Sequence, residues 1–212
     1  LCLIDYSLAK QYVPVLVQVL QRVDESPVAV RNNILFVLSD LCVRYTQLVD
    51  RFVPIMATCI HDPHPVVRRH TLMLLTHLLV EDYVKWRSVL VFHFLSALAD
   101  DDTDVRAFAE SAMTSVLLQK FPNLFAPANF VDALVVLTGC RAHPNYSQAL
   151  HALDGYGYSA VTLPTTLVGP RFLRKRMHIY RTMLRHMTDE QRFTASARVI
   201  HDVLGGVVDG VL

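Results

Sequence analysis

The chain has 212 residues, of which 52% are hydrophobic and 18% charged, with seven glycines and a formal net charge of +1. That balance is too apolar for disorder, too poor in glycine for a turn-rich β protein and too close to neutral for global charge to advertise nucleic acid. No apolar run approaches the ~20 residues of a transmembrane helix; the longest, Val89 to Ala99, is interrupted by His93 and Ser96.

In chain order, residues 10–23 and then PVAVRNNILFVLSDLCVRY, residues 27–45, carry helical apolar spacing. In the second run Val30, Ile34, Val37, Leu38 and Leu41 form the expected core stripe, while Asn32 and Asn33 are poor helix formers in its first turn. Amphipathic runs follow over Leu48 to Ile60, Tyr83 to Ala99 and Phe130 to Leu137. Residues 143–170 contain three prolines and three glycines and read as an irregular crossing. Helix resumes at Arg171 and runs to about Met187; Thr188-Asp-Glu-Gln191 is then a capping box opening a last helix that ends near Gly205-Gly206.

A repeat organises these elements. Val30-Arg31, Val67-Arg68 and Val105-Arg106 recur 37 and 38 residues apart, each behind a polar turn containing Asp24, Asp62 or Asp100 to Asp104. Leu38, Leu75 and Met113 fall in one equivalent position, and Leu41, Leu78 and Val116 in another. The unit is a helix, a short Asp/Pro turn and a second helix opening with Val-Arg, which is the HEAT-type pattern. One such pair cannot bury its apolar face alone, so stacked pairs share a core. The expected fold is an all-α HEAT-repeat α-solenoid, with repeats over 1–141, an irregular crossing over 142–170 and a basic helix plus a closing helix over 171–212. The chain opens on Leu1 without a signal-peptide pattern, so the expectation is a segment of a longer protein whose stack continues upstream.

No catalytic constellation is present: there is no phosphate-binding glycine loop, no Gly-x-Ser-x-Gly elbow and no His-Glu-x-x-His helix. Cys2, Cys42, Cys59 and Cys140 form no CxxC pair and read as buried thiols of a reducing compartment. His61 and His64 have ligand-like spacing but sit in an Asp/Pro turn with no second ligand pair, so no metal and no cofactor is expected. Asp100 to Asp104 lacks the glycine and distal glutamate of a calcium loop and reads as a capping turn.

Two basic clusters remain. Arg31, Arg68 and Arg106 stand at the starts of second helices, where they either reach the Asp of the neighbouring turn as a ladder or receive phosphates; Arg69 beside them fits the ladder less easily. Arg171, Arg174, Lys175, Arg176, Arg181 and Arg185 form the second cluster, with Met177, Tyr180 and Leu184 as the expected packing face. A basic ridge of this kind suits a phosphate backbone, an acidic protein surface or plain solvent.

The stretches VRNNILFVLSDLCVRY, LVDRFVP and VVRRHTLMLLTHLL with EDYVKW resemble the C-terminal HEAT region of the D-type subunits of condensin. RMHIYRTMLRHMTDEQRF is similar to the condensin II form rather than its condensin I counterpart. The resemblance is strong over about 27–121 and 174–212, and weak between. It implies a non-enzymatic nuclear, chromosome-bound subunit, with no membrane partner, that binds the kleisin subunit, contacts SMC ATPase heads and touches double-stranded DNA in mitotic chromosome condensation. Members of the family are also linked to histone tails, a role to which no residue here is assigned. Against it stands a HEAT adaptor of transport or trafficking type that binds only proteins. Within the resemblance, Asn32 is expected on the surface carrying Arg31, open to a kleisin segment or a phosphate. Asn33 is expected at an inter-repeat seam, bonded to a carbonyl of the neighbouring repeat.

Overall fold

The computed structural model describes residues 2–146 and 167–208. Helices α1 (Tyr6–Gln21) and α2 (Val28–Arg44) form the first antiparallel pair. In the second pair the first helix is stitched from α3 (Thr46–Val49), α4 (Val53–Thr58) and flanking 3₁₀ turns, because Pro54 lacks the N–H to continue an α-helical ladder and restarts it instead. Its partner is α5 (Pro65–Val80). The third pair is α6 (Ser88–Ala97) with a rod made of α7 (Thr103–Ser111), one π turn and α8 (Leu118–Lys120).

The fourth pair is α9 (Pro127–Thr138) with α10 (Leu173–Arg185). A last rod of α11 (Asp189–Arg198), a second π turn and α12 (Gly205–Val208) packs on α9. The expected break near Gly205-Gly206 does not occur, since both glycines are helical. Second helices α2, α5 and α7 lie side by side in one layer, and α4, α6, α9 and α11 in the other. The shared core runs between the layers from Ala9 to Ala195. This is the all-α HEAT-type solenoid expected from the repeat; most of the irregular crossing expected at 142–170 lies outside the described residues.

Two side-chain registers differ from the sequence reading. In α2, Val30 and Val37 are exposed and the buried line runs through Arg31, Leu35, Leu38 and Cys42. The helix is turned so that Arg31 faces inward. In the third pair Val116 is exposed and Leu117 is fully buried. The π turn at Ala112–Leu117 spreads its hydrogen bonds over one extra residue and shifts the apolar face by one position after Met113.

Turn chemistry sets where second helices begin. Asp102 caps α7 by accepting from the Asp104 and Val105 amides, and the His64 ring nitrogen accepts from the Val66 amide at the start of α5. Thr188 and Gln191 form the expected capping box at α11. Under the second turn His61 meets His93 of α6 across 3.0 Å, and Ser96 lies 3.5 Å from the same His61 nitrogen. His64 points to its own helix instead, so the His61/His64 spacing brings no ligand pair together.

Candidate nucleic-acid interface

The ladder arginines are built into the turns. Arg31 donates from Nε and Nη2 to the two carboxylate oxygens of Asp62 at 2.7 and 2.9 Å, while its Nη1 reaches the Val23 and Ser26 carbonyls. Both residues are 4% exposed. The hydrogen bond to Asp62 is the main cause holding the Arg31 pKa above its ordinary value. Arg68 repeats the geometry one pair later: Nε and Nη2 each lie 2.8 Å from Asp100, and Nη1 bonds the Asp62 and Pro63 carbonyls. Arg68 is therefore occupied by the fold and not offered to phosphate. Arg106 bonds the Asp100 carbonyl of its own preceding turn.

The third junction uses another route. Lys175 of α10 reaches back to Asp101, whose carboxyl is held below its usual range chiefly by that hydrogen bond. Arg176, expected on the basic ridge, is buried and grips the Leu167 and Gly169 carbonyls through Nη1. It corresponds to Arg31 and Arg68, a second-helix arginine clamping the turn before it, and that geometry takes it off the ridge. The packing face of α10 is likewise shifted: Ile179, Tyr180 and Met183 are buried, whereas Met177 is exposed and Leu184 only half-buried.

What remains exposed is a line. Arg174, Arg181 and Arg185 are separated by 7 and 4 residues, with exposed His178 filling the gap and Arg171 one turn before. At helical rise this line is roughly 16 Å long from Arg174 to Arg185. The Arg171 guanidinium sits 4.5 Å from the Phe172 ring centroid, which fixes its direction. None of Arg171, Arg174, Arg181 and Arg185 has a carboxylate partner among the described residues. Arg69 is also exposed, on the outer face of α5. Between the turns and α10 lies an open cavity of about 460 Å³, whose charged walls include Asp62, Asp100 and Asp101 against Arg68, Arg171 and Lys175. Its charges balance, so anion attraction belongs to the outer line and not to the cavity.

The two asparagines exchange their expected roles. Asn33 is exposed, not buried at a seam, and makes no seam hydrogen bond among the described residues. The amide oxygen of Asn32 instead lies 2.7 Å from the His70 ring nitrogen of α5, and His70 packs edge-on against Phe36. The inter-repeat amide is thus one residue earlier than expected, because turning Arg31 into the core carries Asn32 toward the neighbouring pair and Asn33 away from it.

A family model described as "non-SMC mitotic condensation complex subunit 1" matches residues 29–135. Among curated proteins, the chain is 37% identical over 212 residues to Condensin-2 complex subunit D3-L of Xenopus laevis, covering all of this chain and 14% of that protein. It is 36% identical over 214 aligned residues to Condensin-2 complex subunit CAP-D3 of Arabidopsis thaliana, covering all of this chain and 16% of that protein. Condensin complex subunit 1 of Xenopus laevis is 32% identical over only 89 residues, 42% of this chain and 6% of that protein. No solved structure matches. Likeness along the whole chain to the condensin II subunits, against less than half of it to the condensin I subunit, separates the two branches. The chain belongs to the non-SMC mitotic condensation complex subunit 1 family, as a segment of the condensin II D-type subunit.

Proposed function

We propose that this segment is a non-catalytic scaffold of condensin II that lays the exposed α10 line along the phosphate backbone of double-stranded DNA in mitotic chromosome condensation. The observation supporting DNA is the set of four exposed guanidinium groups, Arg171, Arg174, Arg181 and Arg185, without carboxylate partners among the described residues. Contact with phosphates breaks no ion pair among the described residues, and the start of the helix is pinned by Lys175 to Asp101 and by buried Arg176. Phosphate contacts of this kind position the duplex and read no base sequence. Binding of the kleisin subunit, contact with SMC ATPase heads and a place on chromosomes in the nucleus are read from family membership.

The test is fluorescence anisotropy of a short duplex across a salt series, comparing the native chain with R174E/R181E/R185E. Lys175 and Arg176 are left intact because they hold the helix. Three or four phosphate contacts give a slope of log K against log salt of about −3 to −4, and the variant brings it close to zero. Equal binding by both proteins would remove α10 as the DNA site. Absence of binding by either would favour the adaptor that meets only protein partners.

A further inference from the structure

Beside the 460 Å³ cavity, where the turn before α7 meets α10, lies a smaller open one of about 280 Å³. Arg106 lines it from α7, and Arg174, Lys175 and His178 line it from α10. Asp100 and Asp101 complete its charged wall. The positive groups come from two helices far apart in sequence, so the fold and not a local basic run brings them together.

Charge sets the class of ligand. Asp100 is already matched by Arg68, whose Nε and Nη2 each lie 2.8 Å from it. Arg106, Arg174 and Lys175 then stand against Asp101 alone, an excess of two positive charges, and His178 adds another when protonated. A phosphate monoester carries about −1.5 to −2 at neutral pH, which matches that excess. A duplex fits this cavity less well, because its phosphates repeat along each strand. Those beside a seated one would meet Asp101, whose side chain is 87% exposed, in an acidic turn that continues to exposed Asp104. An isolated phosphate avoids that repulsion.

A second observation is the shared wall. Both cavities are lined by Ala99, Asp100, Asp101 and Lys175, and the larger one also by Ile60, Ala97 and Phe172. An apolar recess therefore adjoins the cationic one, which suits neighbouring side chains of one bound peptide.

We propose that these joined cavities bind a phosphorylated serine or threonine of a partner protein, with the phosphate against Arg106, Arg174 and Lys175 and an apolar neighbour against Phe172. The two guanidinium groups hold phosphate oxygens through paired N–H donors, and Lys175, tied to Asp101, acts as a point charge. The site shares Arg174 with the DNA line but does not depend on DNA binding.

The experiment is fluorescence anisotropy on the full-length D-type subunit, with labelled Gly-Leu-pThr-Leu-Gly, its unphosphorylated form and a short duplex. The native protein should prefer the phosphorylated peptide by roughly tenfold or more. R106Q and R174Q should each remove most of that preference, whereas R181E/R185E should keep it while weakening duplex binding. Equal affinity for the two peptides would overturn the proposal. Melting temperature is read alongside; if R106Q unfolds, R174Q decides, since Arg174 is exposed. Preference retained in R174Q would overturn the phosphate seat. A duplex that displaces the phosphopeptide from R181E/R185E would give the cavity to the DNA backbone and overturn it as well. A native protein that ignores the duplex yet prefers the phosphopeptide would remove DNA binding alone and support this site.

Discussion

Replacing Arg31 with Met leaves the Asp62 carboxylate in a turn where it is 4% exposed and has lost two charge-assisted bonds. Removing one member of a buried pair typically costs about 3–5 kcal/mol, because the remaining charge is stranded. Urea denaturation of R31M should show a loss of that size, and R31M/D62L should recover a large part of it. Full recovery is not expected, since Asp62 also accepts the His64 amide and so closes its own turn. The two asparagines give a sharper contrast at the same scale. N32A breaks the contact to His70 and should cost about 0.5–1.5 kcal/mol, whereas N33A, exposed, should stay within about 0.5 kcal/mol of the native protein. Equal effects of the two would contradict the way α2 is turned. That turn was not legible from hydrophobicity. A stripe drawn through Val30 and Val37 is as apolar as the real one, and only a buried Arg31 distinguishes them.

At the scale of elements, the repeated Val-Arg behind an Asp turn located every second helix that it marked, because capping and the ladder both require fixed residue types at fixed spacing. The fourth second helix is marked in the sequence by its basic run instead, which puts Arg176 on the expected surface ridge, whereas it is buried. With no Val before it and 70 positions after Arg106, nothing in local spacing tied it to the ladder. The π turn was equally invisible, since no residue type demands it. Two glycines test how this end of the fold is built. Gly169 sits at φ 102° and ψ 163°, a conformation essentially reserved for glycine, and its carbonyl accepts from Arg176. G169A should cost about 1–3 kcal/mol and loosen the start of α10, although a new Cβ meets nothing within 4 Å. Gly205 is helical, and an added Cβ would be in ordinary contact with the Ile200 carbonyl at 3.7 Å. G205A should therefore stabilise by about 0.5–1 kcal/mol. Thermal melts of the two variants should move in opposite directions. Matching losses would mean that contacts, not backbone conformation, govern both sites.

Across the whole molecule, neighbouring pairs are joined by buried polar contacts laid over a common apolar core, and the junction of the second and third pairs holds the most acid-sensitive one. His61, in the turn ending the first helix of the second pair, meets fully buried His93 of α6 at 3.0 Å. Burial is the largest cause pushing His61 down to about 4 and His93 to about 3; for His61 the nearby Asp100 opposes this and Arg68 adds to it. An unfolded histidine titrates near 6.5, so as pH falls below that value the unfolded chain takes up protons before the folded one does. Stability from the pair is therefore complete above about pH 6.5 and is lost progressively toward pH 3–4, by up to about 1.4 kcal/mol per pH unit for each proton. The Arg68–Asp100 rung spans the same junction but does not touch the ring pair, so it cannot compensate for two histidines that must charge in a buried setting. Acid should thus open the solenoid first between α5 and α6, not at its ends. Hydrogen exchange compared at pH 7 and pH 5 should show the largest loss of protection around residues 59–61 and 90–97. H93F, which removes the fully buried titrating ring, should flatten the dependence of melting temperature on pH below 6.5. A profile that H93F leaves unchanged would overturn the assignment of the acid sensitivity to this histidine pair.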